Sequence, residues 1–180
     1  GKETVKMFRG MNETIAKVSE ALKTTPGEIL RRSGQVMAEL KQITHEKEVM
    51  ASKLANSKAV ELLNYAQTAG GLKIIAAKVE AEDADSLRSL ADKVKDRGAD
   101  VVCVLAAITG EHKISFAAVC GPEAVKAGVH AGNILKQIAK MTGGGGGGRP
   151  DSATAGGKDE SKLEQALESV NNIVAEMISK

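Results

Sequence analysis

Apolar side chains recur at Phe8, Met11, Ile15, Val18 and Leu22, alternately three and four residues apart. That spacing predicts an amphipathic helix over about residues 4–24 with a coiled-coil-like seam. The pattern stops at Thr25-Pro26-Gly27-Glu28, where Thr25 can cap a new helix, Pro26 suits its first position and Glu28 completes a capping box. The second helix carries its seam through Ile29, Ser33, Val36, Leu40, Ile43, Lys47, Met50 and Leu54 and is predicted to reach about Ala66. So tight a junction folds the pair back as an αα-hairpin, with Val36, Leu40 and Ile43 in its core. A helix of about 38 residues is ~57 Å long, nearly twice the first, so Met50 and Leu54 overhang. Gly70-Gly71 ends the arm.

From Leu72 the periodicity changes. The runs 72–79 (LKIIAAKV), 101–108 (VVCVLAAI) and 114–120 (ISFAAVC) are short, apolar and rich in β-branched residues, and they read as strands. Leu87, Leu90, Ala91 and Val94 share one face of a helix over 83–97, ended by Gly98. Thr109-Gly110-Glu111-His112 is a hairpin turn. The middle run is apolar on both faces, which places it in a sheet covered on both sides. A helical turn over 123–127 and a helix over 131–142, with Ile134, Leu135, Ile138 and Met141 inward, precede a last helix over about 160–179 that buries Leu163, Leu167, Val170, Ile173, Val174 and Met177. The fold class is therefore α/β or α+β. A helical hairpin subdomain, 1–70, precedes a globular subdomain, 71–180, whose mixed sheet has three strands or more, with a glycine-rich loop and a C-terminal helix. The length, 180 residues, suits one or two domains.

No apolar run approaches the ~20 residues of a membrane-spanning helix, and GKETVKMFRG lacks the apolar stretch of a secretory signal. A start on Gly that enters directly into a helical pattern reads as a piece of a longer protein. Two cysteines, Cys103 and Cys120, lie inside apolar runs and are expected as buried thiols of a reducing, cytoplasmic protein. With three scattered histidines, His45, His112 and His130, they make no zinc pattern. There is no Trp, one Tyr and two Phe, so any nucleic acid must be held through phosphates, backbone and shape rather than by stacking. The net charge of +2 is uneven: residues 1–70 sum to +3, 71–123 to −2, 124–158 to +4 and 159–180 to −3.

The basic excess surrounds Gly143, Gly144, Gly145, Gly146, Gly147 and Gly148, followed by RPDSATAGGKD. Glycines are costly to order, so the run implies a place where bulk is forbidden or where many amides face one ligand. A dinucleotide fingerprint must follow a strand and open a helix; this run follows a helix, whose nearer end is negative. The P-loop pattern fails because Gly157-Lys158 leads to Asp159 and position 152 is Ser. Two readings stay open: a flexible linker, or a backbone cradle for a polyanion bordered by Arg149, Lys158, Lys136 and Lys140. In the cradle reading the loop lies outside the core, so valine at Gly145 and Gly146 is expected to block the ligand without harming the fold.

His130-Ala131-Gly132-Asn133-Ile134-Leu135, then Gly143–Gly148-Arg149-Pro150-Asp151, then Ala155-Gly156-Gly157-Lys158-Asp159 resembles the signature of the DHH-associated domain. That domain occurs at the C-terminus of alanyl-tRNA synthetases (the C-Ala region) and in DHH phosphoesterases, and the synthetase resemblance covers the whole chain. It implies that the glycine segment with Arg149 and Lys158 contacts the elbow of tRNA(Ala), while Lys136 and Lys140 are added from helix spacing. It further implies a role in coupling aminoacylation to editing and, in some members, dimerisation; the overhanging half of the second helix points to the helical arm as the place of a homodimer contact. The parent's ATP, Mg and Zn belong to machinery not visible here: His45 has no histidine four residues away, and no DHH triplet occurs. The fragment itself is expected to be non-catalytic and free of cofactors. Alternatives are a pure oligomerisation module and a nucleic-acid-gripping accessory domain of a DHH phosphoesterase.

Overall fold

A computed structural model describes residues 1–179, in two compact units that divide between Ser52 and Lys53. The first holds α1 (Lys2–Ala21), a 3-10 turn (Pro26–Glu28) and the larger part of α2 (Ile29–Asn64). Pro26 sits at the first position of the new helical segment, but the expected capping box does not form. The Thr25 hydroxyl caps nothing, and the Glu28 carboxylate lies 2.9 Å from Arg31 instead. Side chains meet only near the turn, where Ser19 is buried and Leu22, Ile29, Arg32 and Val36 are half-buried. Further out, Phe8 is 62% exposed, and Leu40 and Ile43, expected in the hairpin core, are 56% and 63% exposed. A seam interrupted by Ser33 and Lys47 offers too little continuous apolar surface to zip the helices along their length.

In the second unit, six strands form one mixed sheet in the order β1-β2-β3-β4-β6-β5. They are β1 (Gln67–Ala69), β2 (Leu72–Lys78), β3 (Val101–Ile108), β4 (Ile114–Cys120), β5 (Gly145–Gly148) and β6 (Ser152–Gly157). The helices are α3 (Ala84–Lys95), α4 (Pro122–Lys126), α5 (Ala131–Met141), α6 (Leu163–Glu168) and α7 (Val170–Ile178). Strands β2 and β3 are parallel and joined through α3, whose first turn is capped by the Asp83 carboxylate at 2.7 Å from the Ser86 amide. Strand β3 is buried from Val101 to Ala107, as its unbroken apolar run requires. Its alternate residues feed two cores. Val102, Val104 and Ala106 join Ile114, Phe116, Ile134, Leu135, Ile138 and the C-terminal helices. Val101, Cys103, Leu105 and Ala107 join Leu87, Leu90, Val94 and Ala59. The same alternation places Cys103 and Cys120 in different cores as free thiols. Burial raises both, Cys120 to about 12, so neither ionises near neutrality.

Three elements depart from the sequence reading. Gly70-Gly71 does not end the arm: α2 stops at Asn64, and the two glycines, with φ of 59° and 79°, make the turn of a β1–β2 hairpin, a turn that demands positive φ at both positions. The last helix is broken, into a 3-10 turn (Glu160–Lys162), α6 and α7, with the Ser169 hydroxyl at the break donating to the Ala166 carbonyl at 2.6 Å. The glycine run is not a loop throughout. Gly145–Gly148 is the edge strand β5, paired antiparallel to β6.

Candidate nucleic-acid interface

Helix α5 fixes both ends of the glycine strand. At its C-terminus Gly143 has φ 66°, its amide donates to the Lys140 carbonyl at 3.2 Å, and the Gly144 amide donates to Ala139 at 2.8 Å. This pair of bonds is a Schellman cap, in which the left-handed residue is most easily glycine. The buried Thr142 then ties β6 to the same end, its carbonyl accepting the amides of Lys158 and Asp159 at 2.9 and 3.0 Å. At the N-terminus of α5 the Ala131 and Gly132 amides donate to the carbonyls of Pro150 and Arg149, and Asn133 donates to His130 Nδ1. The first-turn amides, the usual anion-binding groups of a helix, are thus consumed, two by the β5–β6 turn and the third by His130.

The strand between these ends divides by parity. A Cβ on Gly144 would lie 1.9 Å from the Gly156 carbonyl oxygen, on Gly146 2.4 Å from Ala155 Cα, and on Gly148 2.7 Å from Ala153 Cα. From the helix side, a Cβ on Gly132 would lie 2.4 Å from the Gly148 oxygen. These glycines exist because backbone packs on backbone, and valine at Gly146 cannot leave the fold intact as the loop reading expected. At Gly145 and Gly147 a Cβ would meet nothing within 4 Å. Packing gives no reason for glycine there.

The predicted cations are spread over α5 and the two ends of the strand rather than gathered at one point. Lys136 and Lys140 are exposed on α5, and Lys158 is exposed beside its C-terminal end. Among the described residues none of the three has an ion-pair partner. Arg149 stands at the opposite end, about 13 Å away along a four-residue strand. It is partly committed: its Nε lies 3.3 Å from Asp151 Oδ1, while Lys95 Nζ lies 3.1 Å from Oδ2. The hydrogen bond from Lys95, with Arg149 adding to the field, holds the Asp151 carboxyl below its ordinary pKa.

A site component absent from the sequence reading is the β3–β4 turn. The β4–β6 register pairs Ile114 with Gly157, so Lys113 and Lys158 are the next residues on facing strands. Like charges so placed repel, and neither has an ion-pair partner among the described residues. Together with Glu111, His112, Gly144, Gly145, Gly156 and Gly157 they line a groove of about 590 Å³. His112 Nδ1 lies 3.2 Å from Glu160. The sequence marked Thr109–His112 as a turn but gave no signal that Lys113 would face Lys158, because that proximity comes from the pairing of β4 with β6. Among the described residues no group of three or more His, Cys, Asp and Glu side chains is placed to hold a metal ion.

Residues 71–176, which hold strands β2 to β6 with the glycine strand among them, match the DHHA1 domain. The chain belongs to the DHHA1 domain family. This DHHA1 chain is 42% identical over 170 residues to the alanine–tRNA ligase of Geobacillus thermodenitrificans and 40% identical over 174 residues to that of Desulfitobacterium hafniense. These alignments cover 93% and 97% of the chain but 19% and 20% of the ligases, so the chain spans about a fifth of the length of the curated relatives it matches. Among solved structures, the C-Ala domain from Aquifex aeolicus alanyl-tRNA synthetase superposes with a TM-score of 0.56 at 29% identity, over 61% of this chain and 97% of that one. No helix among the described residues is long and apolar enough to cross a membrane.

Proposed function

We propose that this DHHA1 chain is the C-Ala module of a cytoplasmic alanine–tRNA ligase and grips tRNA(Ala) at its elbow with the glycine strand. One observation carries the reading: Gly145 and Gly147 are glycine although a side chain would meet open space. Glycine weakens a strand by roughly 0.5–1 kcal/mol relative to alanine, a cost that close approach of a ligand to the backbone accounts for. Lys113, Lys158, Lys136 and Lys140 supply charge for phosphates on either side, and Arg149 extends the stripe. With two Phe, one Tyr and no Trp in the chain, recognition is electrostatic and shape-based. The parent's ATP, Mg and Zn lie with parts of the ligase beyond this chain, and gripping the elbow lets one tRNA be offered to both aminoacylation and editing.

The deciding experiment compares intact tRNA(Ala) with an acceptor minihelix that lacks the elbow. Intact tRNA is expected to bind tighter, with a steep salt dependence. Equal affinity for the minihelix refutes the elbow assignment. A second reading, homodimerisation through the helical arm, is supported by the exposed apolar seam at Phe8, Met11, Leu40, Ile43, Met50 and Leu54; sedimentation over a range of concentrations tests it.

A further inference from the structure

The opposite edge of the sheet carries a different feature. Strands β2 and β3 are parallel, and the amides of Lys73 and Val79 donate to the carbonyls of Asp100, just before β3, and of Ala106 within it. In a strand, successive residues present their backbone groups to opposite sides, so odd-numbered residues of β2 face β3 and even-numbered ones face outward. Leu72 and Ile74 are paired with Ala69 and Gln67 of β1. Strand β1 is only three residues long and stops there. The N–H and C=O of Ala76 and Lys78 therefore face a side of the sheet that no strand covers.

That edge lies in a groove of about 400 Å³. One wall is Leu62 and Tyr65, at and just beyond the end of α2, and the other is Glu164, Leu167, Glu168 and Asn171. Tyr65, the single tyrosine, is 79% exposed. A second hollow of about 490 Å³ shares Leu62, Tyr65 and Lys78 and continues past Lys58, Glu61, Val79 and Glu80. At the β1 end the Asn171 amide donates to the Gln67 side chain and closes the groove. The rim carries Glu61, Glu80, Glu164 and Glu168 against Lys58 and Lys78, and among the described residues none of these four carboxylates has an ion-pair partner.

We propose that the free edge of β2 at Ala76 and Lys78 is a docking site for an extended, basic segment of a partner polypeptide, which adds to the sheet as a further strand. An extended backbone is the ligand whose donors and acceptors repeat at the two-residue spacing of the edge. The run from Ile75 to Glu80 accommodates about six residues, ~20 Å. The unpaired carboxylates select positive side chains, Tyr65 and Leu62 provide an apolar contact, and the site is independent of the glycine strand and of RNA.

The test uses the RNA-free, 15N-labelled chain and an acetylated, amidated hexapeptide alternating lysine and valine. Saturable amide shifts centred on Ala76 and Lys78 are expected. N-methylation of the peptide at its edge-facing amides is expected to weaken binding about tenfold, a comparison that needs no protein variant. The E164K/E168K double variant, on an exposed helix face, is expected to bind about threefold more weakly. Absence of saturable shifts, undiminished binding of the N-methylated peptide, or shifts at the Gly145–Gly148 edge instead overturns the site. Undiminished binding by a folded E164K/E168K protein overturns the choice of a basic strand.

Discussion

Alanine substitutions along the glycine strand separate what the fold needs from what a ligand needs. At Gly146 the added carbon would stand 2.4 Å from both Ala155 Cα and Cβ and 2.6 Å from the Thr154 oxygen. This is more than 1 Å inside the ~3.5–4.0 Å optimum of non-bonded carbons, against backbone that cannot swing aside. Overpacking of this kind costs about 1–3 kcal/mol. At roughly 4 °C per kcal/mol for a domain of this size, Gly146→Ala is expected to melt about 4–12 °C lower. Gly145→Ala meets open space, and its only effect on stability is to restrict the unfolded chain, a gain of about 0.4–1 kcal/mol. It is expected to melt about 2–4 °C higher while losing about tenfold in tRNA affinity, one factor of ten corresponding to roughly 1.4 kcal/mol of contact. Calorimetric melting and filter binding at one fixed salt concentration read the two effects separately. If Gly145→Ala and Gly146→Ala melt alike, the parity argument fails. If Gly145→Ala is stabilised yet binds tRNA normally, the strand is not the contact surface.

Lys113→Ala and Lys158→Ala are each expected to flatten the dependence of log K on log salt by about one phosphate contact, whereas Arg149→Ala, half-committed to Asp151, changes it less; equal slopes for all variants and wild type dispose of the charge assignment. Asp151→Asn tests the Lys95–Asp151–Arg149 clamp through pH. The folded-state pKa of Asp151 is lowered, so its contribution is complete above the unfolded value of about 3.9 and vanishes as pH falls through the lower folded value; the melting gap between wild type and Asp151→Asn is expected to be constant at neutral pH and to close in acid. In the arm, Leu40→Glu with Ile43→Glu is expected to preserve helix content by circular dichroism, because both side chains are exposed, and to abolish any concentration-dependent mass; loss of helix would show instead that they are packed.

Most of the second unit could be read from side-chain periodicity. The β-branched runs became β2, β3 and β4, and the faces of α3 and α5 are buried where the spacing placed them. The reading failed where side chains carry no pattern. A strand of four glycines has no alternation to detect, so β5 looked like a loop. Gln67-Thr68-Ala69 is too short and too polar to announce a strand, and without β1 the Gly70-Gly71 turn looked like a helix terminator. Register, too, is invisible in one sequence: Lys113 and Lys158 are 45 positions apart and become neighbours only through the pairing of β4 with β6. The α1–α2 seam misled in the other direction, since a correct helical period says which residues share a face but not that the face is covered.

The parity of the glycine strand also makes descent readable. Gly144, Gly146 and Gly148 answer to the architecture, whereas packing leaves Gly145 and Gly147 unconstrained, and on the proposed function those two answer to the ligand. A descendant that kept the domain but abandoned its ligand would be free to drift at alternate positions only. Glycine held at 144, 146 and 148 with side chains appearing at 145 and 147 would mark a retired binding strand. Substitution at the first three would instead have to displace the facing backbone at Ala153, Ala155 or Gly156, which no exchange of side chains there can relieve. The stretch from Gly144 to Gly148 is thus two interleaved sets, one fixed by folding and the other, on the proposed function, by use, that mutate under separate rules.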